Sequence, residues 1–573
     1  MGVPGFFMWL LKNYKKEGFV INKTKLDSNS DILNDINNID YFLIDANCLI
    51  HPVCYKVIAD NPDLNDNDKL EDKMINAVLL YLEKIIEYVK PKIGIYLAID
   101  GVAPMAKIKQ QRTRRFKSVI DKIMWDNIKK KHSRPITVSW NNNAITPGTK
   151  FMVKLHKAIL SWMGKQEFKV IYSSCMTPAE GEHKLLQFIR TNQKDNINNS
   201  YVIYGLDADL IFLALSTNSN NIYLLREANE INKNESKEVL NHISINIMRN
   251  SIVGTISRFL SDDMTKTFKI NEINIVNDFI FICYFLGNDF LPHIPSLNIH
   301  HNGIEELIIN YCKTFKELIL ENNKIIYLLE NNNINYNFLL KFITYTSHEE
   351  NNILRDNFLK KKRFNKCDGD AYEKEVFKIE NLQFKINDTI LLGSDTPEEW
   401  RKRYYKYYWN VEDDEIEEFS EKLVYHYLMG LKWITLYYFD KCPSWDWYYP
   451  FDYPPFISDI AKYLLKINLN DIKFKLGTPL KPFMQLLSVL PPQSNYLLPK
   501  TLRKLVLNPN SSLIYMYPTE IEQDFINKHK HWMGIPKLPP IDIELIKHSY
   551  NKYKDELKSD ELERNQLLTI FYK

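Results

Sequence analysis

The stretch Ile93-Gly-Ile-Tyr-Leu-Ala-Ile-Asp100 is a short apolar, β-prone run that stops on a carboxylate. The same design recurs twice: Tyr41-Phe-Leu-Ile leads to Asp45, and Val202-Ile-Tyr-Gly-Leu leads to Asp207. Continuous apolar runs of this length read as strands buried on both faces of a sheet. Strand candidates at Tyr41–Ile44, Ile93–Ile99, Lys169–Ser173, Tyr201–Tyr204 and Ile222–Leu225 alternate with helical patterns such as Lys69–Tyr88 and Phe151–Gly164. Such alternation predicts an α/β fold, a mostly parallel twisted sheet with flanking helices. Val276–Leu286 reads as a buried helix running into Gly287-Asn-Asp289.

In open α/β sheets ligands bind beyond the carboxyl ends of the strands. The strand-end acids should therefore converge there. Glu180-Gly-Glu182 and Asp207-Ala-Asp209 each place paired carboxylates on a short turn, and Asp289 follows an apolar helix. Helix capping or surface charge accounts for any one of these acids. It does not account for Asp45, Asp100, Glu180, Glu182, Asp207, Asp209 and Asp289 as a set. Gathered carboxylates repel unless cations offset them, and hard oxygen ligands suit Mg²⁺ or Mn²⁺. Two such ions about 3.5–4 Å apart are the usual apparatus for cutting phosphodiesters.

A basic segment, Lys107-Ile-Lys-Gln-Gln-Arg-Thr-Arg-Arg-Phe-Lys117, comes directly after Asp100-Gly-Val-Ala-Pro104. Proline suits the opening of a helix. On that helix Lys107, Gln111, Arg114 and Arg115 share one face. Next to a metal site they would form a phosphate pocket, arginine binding bidentately and lysine as a point charge. A solvent-exposed basic helix is the plainer reading. His51, six residues after Asp45, reaches the same region. Prolines bar a regular helix from Pro443-Ser-Trp-Asp-Trp-Tyr-Tyr-Pro450, which should form a rigid aromatic loop. Trp445 or Trp447 can stack on a base of any identity, and at least one of them should pack in the core.

A chain of 573 residues holds more than one domain. The first unit spans 1–344. A polar, charged connector at 345–395 follows, with Lys360-Lys-Lys-Arg363 read as a solvated face. A mainly helical, aromatic-rich second region at 396–573 should wrap the first. Net charge is only +3, so any affinity for nucleic acid must come from local patches. Seven cysteines without a C-x-x-C pair speak against disulfides and zinc and for a reducing compartment. No membrane span is expected.

The chain resembles the XRN 5′→3′ exoribonucleases. The likeness is carried by Met1-Gly-Val-Pro4, Asp100-Gly-Val-Ala-Pro-Met-Ala-Lys107, Gln110-Gln-Arg-Thr-Arg-Arg-Phe116 and Ile145-Thr-Pro-Gly-Thr149. It continues through Glu180-Gly-Glu-His-Lys184, Tyr204-Gly-Leu-Asp-Ala-Asp-Leu210, Gly287-Asn-Asp-Phe-Leu-Pro-His293, Gly430-Leu-Lys-Trp433, Cys442-Pro-Ser-Trp445 and Leu490-Pro-Pro492. The resemblance implies a catalytic core like that of PIN and flap nucleases at 1–344 and a second conserved region at 396–573 completing an RNA channel. It implies processive removal of 5′-mononucleotides from single-stranded RNA bearing a 5′ monophosphate, in RNA and mRNA decay.

By the same resemblance, the seven carboxylates hold two Mg²⁺ (or Mn²⁺) ions, and Lys107, Gln111, Arg114 and Arg115 bind the 5′ phosphate. His51 clamps the stacked bases with Trp445 or Trp447. A cap should not fit, which makes a decapping enzyme a functional partner. The protein is expected to be a monomer inside the cell, cytoplasmic rather than nuclear. The Asn/Ile/Lys-rich composition suits a large DNA virus, with the host cytoplasm as its place, or an AT-rich protist. The chain stops soon after the second region, so the long C-terminal modules of the large cytoplasmic members are expected to be absent. Gly5, Met8, Met105, Ala46 and Cys48 depart from the family's usual residues, and none of these changes removes a ligand. Two rival readings are a structure-specific flap-type DNA endonuclease and a catalytically inactive RNA-binding protein.

Overall fold

The computed structural model describes residues 3, 5–25, 39–64, 66–136, 140–207, 209–217, 219–227, 239–259, 267–360 and 367–573. Met1, Gly2, Pro4, Ala208 and residues 361–363, which figure in the motifs above, lie outside them.

One sheet of eight strands organises the chain, in the order β1-β7-β6-β5-β2-β3-β4-β12. These are β1 (Val20–Lys25), β2 (Tyr41–Asp45), β3 (Gly94–Ala98), β4 (Lys169–Ser173), β5 (Tyr201–Tyr204), β6 (Ile222–Glu227), β7 (Val239–Ser244) and β12 (Phe571–Tyr572). Two small ladders, β8 (Leu329–Glu330) with β9 (Asn333–Ile334) and β10 (Gln523–Asp524) with β11 (Ile535–Pro536), stand apart. The five central strands, β6-β5-β2-β3-β4, are parallel, and antiparallel strands close both edges.

All five residues of β2 and of β3 are buried, which is why both read as unbroken apolar runs. The expected central strands are all present. The antiparallel strands β1 and β12 at the edges, and β7 inside β1, went unpredicted. Polar residues such as Asn22, Lys23, Asn241 and His242 dilute the apolar pattern in β1 and β7, and β12 is only two residues long.

The chain runs β2, β3, β4 in one direction and then returns to place β5 on the other side of β2. This reversal is the switch point at which α/β sheets bind ligands. Register sets the strand ends level: Asp45 lies opposite Ala98, Ala98 opposite Ser173, and Ile44 opposite Tyr204.

Helices cover both faces, and the second region shares their cores. Phe6, Leu43 and Phe279 join Tyr427 and Trp433 in one apolar cluster. Val102, Ile108 and Phe116 join Phe483, Leu487 and Leu502 in another. The second region therefore does not stand as a separate body. The described residues of the polar segment 345–395 are largely helical. They include the helices Glu350–Leu359 and Ala371–Glu380. Buried Glu350 accepts the backbone N–H groups of Ile457 and Ser458 at 2.8 and 3.0 Å, capping the helix Ile457–Leu464. Composition averages over such an anchor and hides it. All seven cysteines are free thiols, and among the described residues no helix is long and apolar enough to cross a membrane.

Candidate active site

Asp45 ends β2 and caps the helix Ala46–Asp60, its side chain accepting the Asn47 N–H. Asp100 lies two residues beyond β3. It accepts the Asn47 side-chain amide at 2.9 Å and the Gly181 N–H at 2.6 Å. Glu180 and Glu182 sit on the first turn of the helix Gly181–Asp195 rather than on an isolated turn, and Asp209 opens the helix Asp209–Leu215. A side chain at Gly181 would put its Cβ 2.9 Å from Asp45 Oδ1 and 3.3 Å from Asp100 Oδ1, so only glycine lets these carboxylates close on one another. Asp289 is held by a tight turn. The Asn288 side chain accepts the N–H groups of Phe290 and Leu291, and Gly287 has φ +85° with no room for a Cβ against His293.

Lys107 lies inside this cluster. Its ammonium is 2.5 Å from Glu180 and 2.7 Å from Asp289, and it is almost fully buried. Position 107 therefore faces the carboxylates, while its expected companions Gln111, Arg114 and Arg115 lie further along the helix Met105–Lys131. A buried ammonium goes where the negative potential is deepest, and that potential exists only once the sheet is assembled. Burial alone would lower its pKa, but Asp289 and Glu180 together hold it well above the usual lysine value.

The acids show the strain of being gathered. Burial, then the charges of Asp100 and Asp207, push Asp45 well above the carboxylate range. Burial also raises Glu180 and Glu182, and it lifts Asp209 to about 7. Burial would raise Asp289 too, yet charge attraction led by Lys107 leaves it well below its usual value. Oε2 of Glu182 is buried with no hydrogen-bond partner among the described residues. Two subsets, Asp45–Cys48–Asp207 and Glu180–Glu182–His183, bring their ligand atoms within 4.8 Å of one another. A set of oxygen donors with excess negative charge and an orphaned carboxylate oxygen fits hard divalent cations.

Beside the acids lies a cationic region. Pro104 precedes the helix as predicted. Gln111 is buried against Gln485. Arg115 donates to Thr146 at 2.7 Å, and burial, then the neighbouring Arg114, lowers its pKa to about 9. Arg114 is exposed on the helix surface. His51 is lowered to about 4, first by burial and then by the charge of Arg114, with Asp100, Arg115 and Asp207 also bearing on it. The ring is thus neutral at physiological pH and stands where the basic and acidic groups meet.

The two tryptophans part company. Trp447 stacks on buried Trp433 at 5.3 Å and packs against the core. Trp445 is half-buried with no ring contact among the described residues, and its backbone carbonyl accepts the Met105 N–H at the head of the basic helix. A cleft of about 840 Å³ opens beside Asp289 and follows that helix past Lys109, Arg114, Tyr449 and Trp532.

Several site residues escaped the sequence reading. Tyr437, on the helix Ile416–Phe439, donates to Glu180 at 2.7 Å, and its ring lies 3.7 Å from that of His183. Gln485 accepts the Ala103 N–H. Lys184 binds the carbonyls of Ile99 and Ser174 at two strand ends. Arg226 braces the carbonyls of Leu206 and Asp207. The aromatic Tyr437 gave no signal of its own. Lys184 had one, since it closes the Glu180-Gly-Glu-His-Lys184 motif.

An α/β sheet collects carboxylates at its switch point, beside an aromatic helical region and a cationic helix, in an arrangement whose acidic groups could hold metal ions. Residues 1–228 match the family model described as XRN 5′-3′ exonuclease N-terminus, and residues 268–383 and 370–570 match the Xrn1 helical domain. The chain belongs to the XRN 5′-3′ exonuclease family. It is 29% identical to the 5′-3′ exoribonuclease 2 of Debaryomyces hansenii, over 99% of this chain and 71% of the relative. It is also 29% identical to the human 5′-3′ exoribonuclease 1, over 99% of this chain and 35% of that larger protein. The 5′-3′ exoribonuclease 2 of Arabidopsis thaliana is 28% identical over 99% of this chain.

Proposed function

We propose that this protein is a processive 5′→3′ exoribonuclease that removes 5′-mononucleotides from single-stranded RNA bearing a 5′ monophosphate. The observation that carries the reading is the cluster of carboxylates at the strand ends, into which Lys107 at the head of the basic helix reaches to pair with Glu180 and Asp289. A terminal phosphate held by the arginines would place the first phosphodiester over the carboxylates.

Asp45, Asp100, Glu180, Glu182, Asp207, Asp209 and Asp289 would hold two Mg²⁺ or Mn²⁺ ions. Bound there, the ions supply charge stabilisation at the scissile phosphate and activation of water. Lys107 keeps Glu180 and Asp289 in place by ion pairing. Arg114 and Arg115 would orient the 5′ phosphate with the help of Gln111, which is buried against Gln485. Neutral His51 and the open ring of Trp445 hold the first bases by stacking, which tolerates any base. Each cut leaves a new 5′ phosphate for the same arginines, which favours processivity. In this reading the protein acts as a cytoplasmic monomer in RNA and mRNA decay, downstream of a decapping enzyme.

The test is degradation of one 3′-labelled RNA carrying a 5′ monophosphate, hydroxyl, triphosphate or cap, with and without Mg²⁺. Loss of the monophosphate RNA alone, metal-dependent and without intermediates, is expected. Discrete internal fragments would identify an endonuclease, and tight binding without cleavage an inactive relative.

A further inference from the structure

We propose that Cys48 turns one end of the carboxylate cluster into a binding site for a thiophilic divalent cation, Zn²⁺ or Cd²⁺, held by Asp45, Asp207 and the Cys48 sulfur. The proposal rests on the reading of these acids as a metal centre and adds a donor of different chemistry to it.

Cys48 stands on the first turn of the helix that Asp45 caps. Its Sγ donates to Asp45 Oδ2 at 3.1 Å and accepts the Leu206 N–H at 3.3 Å. Those two bonds aim the sulfur between the ends of β2 and β5. The ligand atoms of Asp45, Cys48 and Asp207 lie within 4.8 Å of one another, close enough to meet on one ion. Among the described residues Cys48 is the one cysteine in either such group. Glu182 belongs to the second such group, and its Oε2 is buried without a hydrogen-bond partner among the described residues.

Chemistry decides which ion this set selects. Carboxylates alone suit hard Mg²⁺, whereas thiolate sulfur favours Zn²⁺ and its softer congeners. Binding breaks the S–H bond and forms a sulfur–metal bond. The proton passes to solvent and no electrons are transferred. An ion so held occupies Asp45 and Asp207, which the hard ions of the proposed reaction also need. Zn²⁺ or Cd²⁺ should therefore act as a competitive inhibitor.

The experiment uses the full chain, stripped of metal and titrated with Cd²⁺ alone, with the ultraviolet thiolate-to-cadmium charge-transfer band as readout. Wild type and a Cys367→Ser control should each develop the band with one ion per chain. Cys48→Ser should lose it, and its Cd²⁺ affinity should fall at least about tenfold. In the same variant, inhibition of Mg²⁺-dependent cleavage should need a correspondingly higher Cd²⁺ concentration. An unchanged band and affinity in Cys48→Ser would overturn the proposal. Cleavage that follows the proposed function while wild type shows no band would sink the cysteine site alone. A Cys48-dependent band in a chain that cuts no RNA would leave the site standing and sink the exonuclease reading.

Discussion

The hydroxyl of Tyr437 donates a 2.7 Å hydrogen bond to Oε1 of Glu180, across 257 positions of sequence. The contact is buried, and it ties the helical second region directly to an acid of the cluster. Tyr437→Phe removes one donor from a buried carboxylate, a change that costs about 1–3 kcal/mol. The expected result is a higher Mg²⁺ requirement and cleavage slowed about tenfold or more, with RNA binding retained. Mg²⁺ titrations of cleavage beside filter-binding isotherms check it. An unchanged Mg²⁺ dependence would show that the bond is only structural.

Asp209 is buried and lifted to about 7, first by burial and then by charges that include Asp289 and Asp207. Asp209→Ala relieves that repulsion and removes a donor. Asp207→Ala and Asp209→Ala should each abolish cleavage while sparing RNA affinity, and Asp209→Ala should melt no lower than wild type. Activity near wild type in either variant refutes the ligand assignment.

Arg114 is exposed, whereas Arg115 is bound to Thr146. Arg114→Ala should therefore leave stability within about 0.5 kcal/mol and reduce the preference for 5′-phosphate over 5′-hydroxyl RNA. Competition between the two RNAs measures it. A preserved preference places the phosphate pocket elsewhere.

The two tryptophans differ in their ring contacts: Trp447 stacks on Trp433, and Trp445 has no ring contact among the described residues. Trp447→Ala opens a cavity against Trp433 and should cost about 3–5 kcal/mol of stability. Trp445→Ala should leave the melting temperature nearly unchanged and weaken RNA binding by about 1–3 kcal/mol. The two variants reversing these roles in paired melts and binding assays would contradict the assignment.

His242 lies in β7 with both ring nitrogens lacking a hydrogen-bond partner among the described residues, and burial lowers it to about 4. Its folded pKa is thus below the unfolded value of about 6.5. As pH falls, the unfolded chain takes up the proton first, so stability present above pH 6.5 is lost between 6.5 and 4. The loss amounts to about 3 kcal/mol at the acid end of that window. His242→Leu should flatten this limb of a stability–pH profile measured by thermal melts. An unaltered acid limb would mean that other groups dominate.

The central sheet was legible because β2 to β6 are short, apolar and β-branched, and the site acids because several of them sit where such a run stops. Asp100 announces itself in this way, and Glu180-Gly-Glu182 by its pairing. The edge strand β1 and its neighbour β7 were not legible, because polar residues such as Asn22, Lys23, Asn241 and His242 interrupt the apolar pattern there. Lys107 was read as part of a phosphate pocket from helical spacing. Spacing says which residues share a face but not which charges that face will meet. The choice between Trp445 and Trp447 was likewise beyond spacing.

Local sequence determined the strands, the helix openings at Pro104 and Asp45, and the chemical kind of each donor, because those follow from residue type and near neighbours. Only the tertiary structure decided that Lys107 pairs with Glu180 and Asp289, that Tyr437 reaches Glu180, and that Cys48 sits between Asp45 and Asp207. These pairings depend on which elements the sheet reversal at β2 and β5 brings together. The burial that shifts their charges exists only when the core has closed over them.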